Sequence, residues 1–340
     1  MRARHVHLAL SLAAALAACA TGRGAGPLPP AAQRVWPDPP LAPRARLVAE
    51  YPDARRGGCS RALWRRAFDA VVGTDAAAPA AGAELLVRPF ALAAVRDGVV
   101  VADPDAARVL RLDWRSGRAE PIECAGRRWT SPMAVAEGAG GATLVADGDH
   151  VVRVTGSSCS DFGAGALTRP TGIAVASGRV YVVDPPRHDV VVFDDAGAEL
   201  LRFGGRGEGE GELNYPTAVA AAPDGTLLVV DALNFRVVRF STDGRYLGTF
   251  GEAGDGEGAF ARPKAVAVDA AGRIYVSDAE RDLVAVFDAA GAFEYALGSS
   301  GSGPGELLLP AGVAVAAAHL FVADSQNGRI QVFELLGDHS

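Results

Sequence analysis

Pro310-Ala-Gly-Val-Ala-Val-Ala-Ala-Ala-His-Leu-Phe-Val-Ala-Asp324-Ser-Gln-Asn-Gly-Arg329-Ile-Gln-Val-Phe333 decides the fold of this 340-residue chain, because its phrase is written six times. A proline opens a short apolar strand, a turn follows, a second apolar strand ends in aspartate, and a third ends in an aromatic residue or leucine. The prolines are Pro89, Pro132, Pro170, Pro216, Pro263 and Pro310. The aspartates, 14 or 15 positions later, are Asp103, Asp147, Asp184, Asp231, Asp278 and Asp324. Nine residues beyond them stand Leu112, Phe193, Phe240, Phe287 and Phe333, while the second unit is shorter and ends near Val154. A period of 37 to 47 residues filled with short strands belongs to propeller blades rather than helical repeats.

Apolar runs at 180–183, 227–230, 274–276 and 320–322 have the composition of strands buried on both faces. Asp224-Gly225, Ala271-Gly272, Asp243-Gly244 and Ala196-Gly197 supply tight turns between strands. Three units carry a fourth strand ending at Phe203-Gly204, Phe250-Gly251 and Leu297-Gly298, but the chain stops too soon after Phe333 for the sixth to do so. That blade needs a borrowed outer strand, and Arg46-Leu-Val-Ala-Glu-Tyr51 fits; the pairing closes the ring and hides an edge.

Asp324-Ser-Gln-Asn327-Gly-Arg329 and Asp231-Ala-Leu-Asn234-Phe-Arg236 resemble the signature of NHL-repeat propellers, as do the glycine-rich joints before Pro216, Pro263 and Pro310. The resemblance runs over roughly residues 84–337 and implies an all-β, six-bladed β-propeller of NHL type, closed by an N-terminal outer strand. Units one and two depart from it: Asp103 is followed by Pro104-Asp105-Ala-Ala-Arg108 and Asp147 by Gly148-Asp149-His150, so neither carries the Asn and the Arg together. Such a fold hosts binding modules, scaffolds and a few enzymes, so function has to be argued from the site.

Ahead of the propeller (84–340) the chain divides into three. Residues 1–18 carry Arg2 and Arg4, then a short apolar run, and end Leu16-Ala17-Ala18 before Cys19. This is an export signal with a lipoprotein box, which makes Cys19 the expected lipidation site and the first residue of the mature protein. Ala20 in the following place favours the outer membrane of a bacterial cell envelope over retention at the inner membrane. Residues 19–44 are rich in Pro, Gly and Ala, a tether of some twenty extended residues reaching about 60 to 70 Å. Residues 45–83 hold the closing strand and a short helical insertion, in which Leu63, Trp64, Ala67, Phe68, Val71 and Val72 recur at helical spacing before Gly73.

Loss of the signal takes the formal charge from −7 to −9, and Lys264 is the only lysine. An acidic exported domain with a single lysine is a poor polyanion binder, so nucleic acid is not expected as a partner. Three cysteines remain after Cys19, namely Cys59, Cys124 and Cys159; one disulfide is expected, with its pairing open.

Candidate ligand-binding side chains cluster beside the prolines. Arg88, Arg169 and Arg262 directly precede three of them, and Lys264 follows Pro263, so positive groups ring the channel mouth where a carboxylate or phosphate would sit. Ser131, Tyr215 and Leu309 fill the other three places. The six aspartates read as caps on the turns that follow them. His150 and His188, with Asp149 and Asp189, form the candidate metal set, suited to zinc. No resident cofactor is expected. The innermost strands are almost wholly small or apolar, which argues against catalysis in the channel. The favoured reading is a lipid-anchored, monomeric, non-catalytic propeller that displays its loop face to an envelope protein, peptide or glycan. The alternative is a metal-dependent lyase or lactonase using Ca or Zn at the channel mouth.

Overall fold

The computed structural model describes residues 34–38, 40–51, 86–96 and 98–337. They form six antiparallel sheets arranged as blades, with each innermost strand beside the innermost strand of the next blade. The first blade is Ala91–Val95, Gly98–Asp103, Arg108–Asp113 and Arg118–Pro121. The second is Pro132–Glu137, Thr143–Asp147, His150–Thr155 and Ser158–Phe162. Both therefore have four strands despite their departures from the repeat. The third blade runs from Gly172–Ala176 to Glu199–Gly204, the fourth from Pro216–Ala221 to Tyr246–Phe250, and the fifth from Pro263–Val268 to Phe293–Leu297.

The sixth blade closes the ring as its sequence requires. Its own strands are Pro310–Ala316, His319–Asp324 and Arg329–Leu335, and Ala45–Tyr51 pairs antiparallel with the last, Leu47 opposite Phe333 and Tyr51 opposite Ile330. A two-residue strand, Val35–Trp36, adds a fifth layer outside it. The helix expected around Leu63 to Val72, the linker after it, Cys19 and Cys59 all lie outside the described residues.

Blades three to six adhere to their neighbours through the phenylalanine near the end of each third strand. Phe162 packs on Phe193 at 5.3 Å between ring centroids, Phe203 on Phe240 at 4.8 Å, and Phe250 on Phe287 at 5.0 Å. In each pair the first ring comes from the outer strand of the preceding blade. At the closure Trp36 takes that place, 5.3 Å from Phe333. Edge and tilted pairs of this kind add about 0.5–1.5 kcal/mol each beyond the area they bury. Near the axis there is no room for side chains between strands: a Cβ on Gly312 would stand 2.7 Å from the Phe90 carbonyl oxygen, and one on Gly172 2.8 Å from Ala218 Cα.

Cys124 and Cys159 form a disulfide with Cα atoms 5.8 Å apart. The sequence left the pairing open, since outer strands of neighbouring blades diverge at the rim. The chain leaving the first blade instead folds beside the outer strand of the second, where Ala125 N–H donates to the Ser157 carbonyl at 3.4 Å.

Closure is also electrostatic. Arg329, 7% exposed, donates to Asp324 Oδ2 at 2.6 Å and to Glu50 Oε1 at 2.8 Å, tying the borrowed strand to the sixth blade. Removing one partner of a buried ion pair leaves a charge without compensation, so Arg329→Ala is expected to lower stability by about 3–5 kcal/mol in urea unfolding. Arg46, whose side chain is 40% exposed in its pair with Glu334, serves as the internal control; Arg46→Ala should cost less than about 1 kcal/mol.

Candidate functional site

One face of the ring carries the loops entering the innermost strands and the turns between second and third strands. Six aspartates, each 0–1% exposed, fix it. Asp103 accepts the backbone N–H groups of Val87 and Arg88, both at 2.9 Å. Asp147 does so for Thr130 and Ser131, Asp184 for Thr168 and Arg169, and Asp278 for Ala261 and Arg262. These donors lie 15 to 17 positions before their carboxylate. The aspartates are structural, as expected, but their main partners are not the turns that follow; Asp278 alone also caps its own turn, through Glu280 and Arg281 N–H. The reason is the proline. Pro132, Pro216, Pro263 and Pro310 sit opposite the aspartates in register, while Pro89 and Pro170 stand just ahead of the first paired residue; all lack an N–H and end the ladder there, so the carboxylate reaches past them to the amides upstream.

Blades four and six solve the same problem with more parts. Asp231 accepts from Asn214 N–H at 2.6 Å, and its other oxygen is taken by Asn234 Nδ2 and Arg236 Nε. Asp324 accepts from Leu308 N–H, Asn327 Nδ2 and Arg329 Nε. With those acceptor sites filled, the second upstream amide is served by the preceding blade: Tyr215 N–H donates to His188 Nδ1 at 3.0 Å, and Leu309 N–H to Asp282 Oδ1 at 2.8 Å. Tyr215 and Leu309 sit at φ 56° and 50°, a left-handed conformation unfavourable for large side chains and for a residue before proline. Asn234 and Asn327 also donate to the carbonyls of Gly207 and Gly301, while Arg236 and Arg329 hold further carbonyls of the same glycine-rich joints. The Asp-Asn-Arg signature is thus a brace for the loop between blades.

Within this frame the channel is narrow, and most of the side chains in its wall are small or apolar. Its enclosed space is about 70 Å³, room for a few waters, and its wall includes Phe90, Val135, Thr171, Thr217, Val266 and Ala311. Lys264 is the single ionisable residue of that wall. It lies at a β-bulge, skipped by the register between Pro263 and Ala265, and a bulge of this kind re-aims the side chain it carries. Burial, and after it the charges of Arg262 and Arg88, hold the Lys264 ammonium below the ordinary lysine range. Of the other three candidate cations, Arg262 and Arg88 are therefore the two whose charges act on Lys264. The fourth, Arg169, turns to the Tyr215 hydroxyl at 2.8 Å. Apolar side chains share the face: Val87 is 56% exposed and Leu233 55%.

The two histidines are engaged separately. His150 receives an Arg127 N–H on Nε2 and donates Nδ1–H to Asp149 at 2.8 Å, while His188 holds Tyr215. Among the described residues no group of three or more His, Cys, Asp or Glu converges as metal ligands. The role of His188 as a loop acceptor escaped the sequence reading, although Asp282 at the matching place in the fifth blade carried the signal.

A six-bladed beta-propeller family matches residues 269–339. E3 ubiquitin-protein ligase NHLRC1 of Rattus norvegicus is 38% identical over 64 residues, 18% of this chain and 16% of the relative, so the chain spans only that small part of the curated protein it matches. Among solved structures, an auxiliary nutrient binding protein from Bacteroides thetaiotaomicron superposes with a TM-score of 0.59 at 11% identity, over 74% of this chain and 70% of the other. Virginiamycin B lyase from Staphylococcus aureus gives 0.54 at 13%, over 74% and 98%. At these identities the structural likeness is one of fold. The fold is a six-bladed propeller with NHL-like repeats.

His188→Ala should release Tyr215 N–H and cost about 1 kcal/mol in thermal or urea unfolding. His188→Asp, which reproduces the acceptor found at Asp282, should recover most of that loss. Equal loss in both variants would contradict the assigned hydrogen bond.

Proposed function

We propose that this protein is a non-catalytic display propeller of a bacterial cell envelope, anchored through a lipid on Cys19 and binding a protein, peptide or glycan on its loop face. The observation that carries the reading is the contrast between face and channel. The face is held by buried carboxylates and presents Arg88 and Arg262 beside exposed Val87 and Leu233. The channel below has about 70 Å³ and one ionisable side chain. Small-molecule sites usually enclose several hundred Å³ with convergent polar groups; this geometry instead supports a ligand lying across the face.

The export signal, lipoprotein box and Pro-rich tether support the envelope address and give the domain reach. That a nutrient binding protein shares the fold is in keeping with a binding role. A lyase shares it too, and the metal-dependent lyase or lactonase reading stays as the alternative. It finds no specific support in the channel wall, whose threonine hydroxyls are committed to the next blade: Thr171 Oγ1 donates to the Thr217 carbonyl at 2.9 Å and Thr217 Oγ1 to that of Lys264 at 2.8 Å.

The test is in-cell photo-crosslinking from two positions of the fourth blade, Leu233 on the loop face and Pro223 in the turn at the opposite end. A discrete adduct from Leu233 that is absent from Pro223, on a protein whose mature N-terminal peptide carries lipid at Cys19, is the expected result. Equal adducts from both positions, or none, would sink the display reading. Bound calcium or zinc with lactone- or ester-opening activity would favour the alternative.

A further inference from the structure

We propose that the channel mouth is an oxyanion seat, in which Lys264, flanked by Arg88 and Arg262, receives a carboxylate or phosphate group of the ligand that the loop face holds. The inference deepens the display reading and rests on it.

Charge accounting leads to it. The chain is acidic, and several of its half-buried and buried arginines are committed: Arg236 to Asp231, Arg273 to Asp269, Arg281 to three backbone carbonyls, Arg329 to Asp324 and Glu50. Lys264 and Arg262 have no such commitment. Among the described residues neither makes a side-chain hydrogen bond or ion pair, and Arg88 has only Asp105 at 3.7 Å, both half exposed. Lys264 and Arg262 are thus left without a carboxylate partner, and Arg88 with a single long, half-exposed pair, in a protein with a surplus of carboxylates. Lys264 is moreover the only lysine in the chain, where arginine supplies every other permanent positive charge. A compact ammonium on a flexible stem suits a narrow mouth better than a planar guanidinium.

The surroundings select for an anion at that point. Thr171 and Thr217 have spent their hydroxyl protons on neighbouring carbonyls, so the amine is the available donor of the wall. Phe90, Val266 and Ala311 keep the site weakly polar, which strengthens a charge-assisted hydrogen bond. The enclosed volume takes an oxyanion and a water or two; the body of the ligand lies outside, on the side of Val87 and Leu233. The charged groups facing Lys264 are Arg262 from its own strand and Arg88 from the first blade, with Asp105 behind Arg88. The adjoining innermost strands bring only Thr217 and Ala311. Binding of an anion therefore raises the lowered pKa of Lys264, and affinity falls as pH rises through it.

A single lysine makes the test direct. The full chain, grown with ¹³C-lysine, gives one lysine side-chain signal, which is followed during titration with acetate, inorganic phosphate and chloride at constant ionic strength. Expected is a saturable shift with acetate or phosphate and an upward move of the Lys264 titration. In Arg88→Gln/Arg262→Gln the affinity drops by roughly tenfold or more, the loss of one or two charge-assisted hydrogen bonds. That variant keeps the fold, because Asp103 and Asp278 grip those residues by their backbone. Saturation by acetate alone identifies a carboxylate, by phosphate alone a phosphoryl group. A small linear drift, the same with chloride and in the variant, would overturn the seat. Face crosslinks from Leu233 that persist in that case leave the display reading standing, whereas a saturable seat without crosslinks removes the display reading.

Discussion

In every blade a carboxylate with almost no contact with water holds the backbone that leads into the innermost strand. Proline at the start of that strand interrupts the ladder, and the part-buried amides just before it would otherwise lack a protein acceptor, a cost of about 1 kcal/mol each. The aspartate across the sheet answers both. Repeated six times, this converts loops that cross from blade to blade into a fixed rim, and the side chains of Arg88, Arg169, Arg262 and Lys264 inherit their positions from it. The loop face is rigid for the same reason that the ring is.

The NHL-like signature is an elaboration of that clamp. Where Asn and Arg join the aspartate, in blades four and six, they brace the glycine-rich joint but occupy the oxygen that would serve the second amide. The preceding blade then supplies His188 or Asp282. Two blades therefore depend on their neighbours for a bond the others make internally, and the residues served, Tyr215 and Leu309, are the two pre-proline residues held at positive φ. Backbone strain of this kind persists only where the surroundings over-determine it.

Much of the architecture was legible because repetition is insensitive to single residues. Six prolines, six aspartates and their constant spacing gave the blades, and the shortfall after Phe333 gave the borrowed strand. What stayed hidden depends on distance in space. Asp103 and its equivalents looked like local caps, since nothing in their neighbourhood reveals donors 15 positions back. Val35–Trp36 is too short to show a period, yet Trp36 completes the aromatic series at the closure. The four candidate cations were equivalent by sequence; only the ring shows that blades one and five place Arg88 and Arg262 near Lys264 while Arg169 serves Tyr215. Pairing of Cys124 with Cys159 likewise required the fold-back beside the second blade.

The measurement that bears most directly on the account is residue-resolved amide hydrogen exchange at Arg88, Ser131, Arg169 and Arg262, loop residues whose N–H groups point at the buried aspartates. The account predicts that they exchange only with opening of the whole ring, as slowly as Val229 and Val276 of the inner strands, because their acceptors are core groups. Exchange within seconds, at the rate of an exposed loop, would mean that the carboxylates do not fix the rim and that the face has no built-in rigidity.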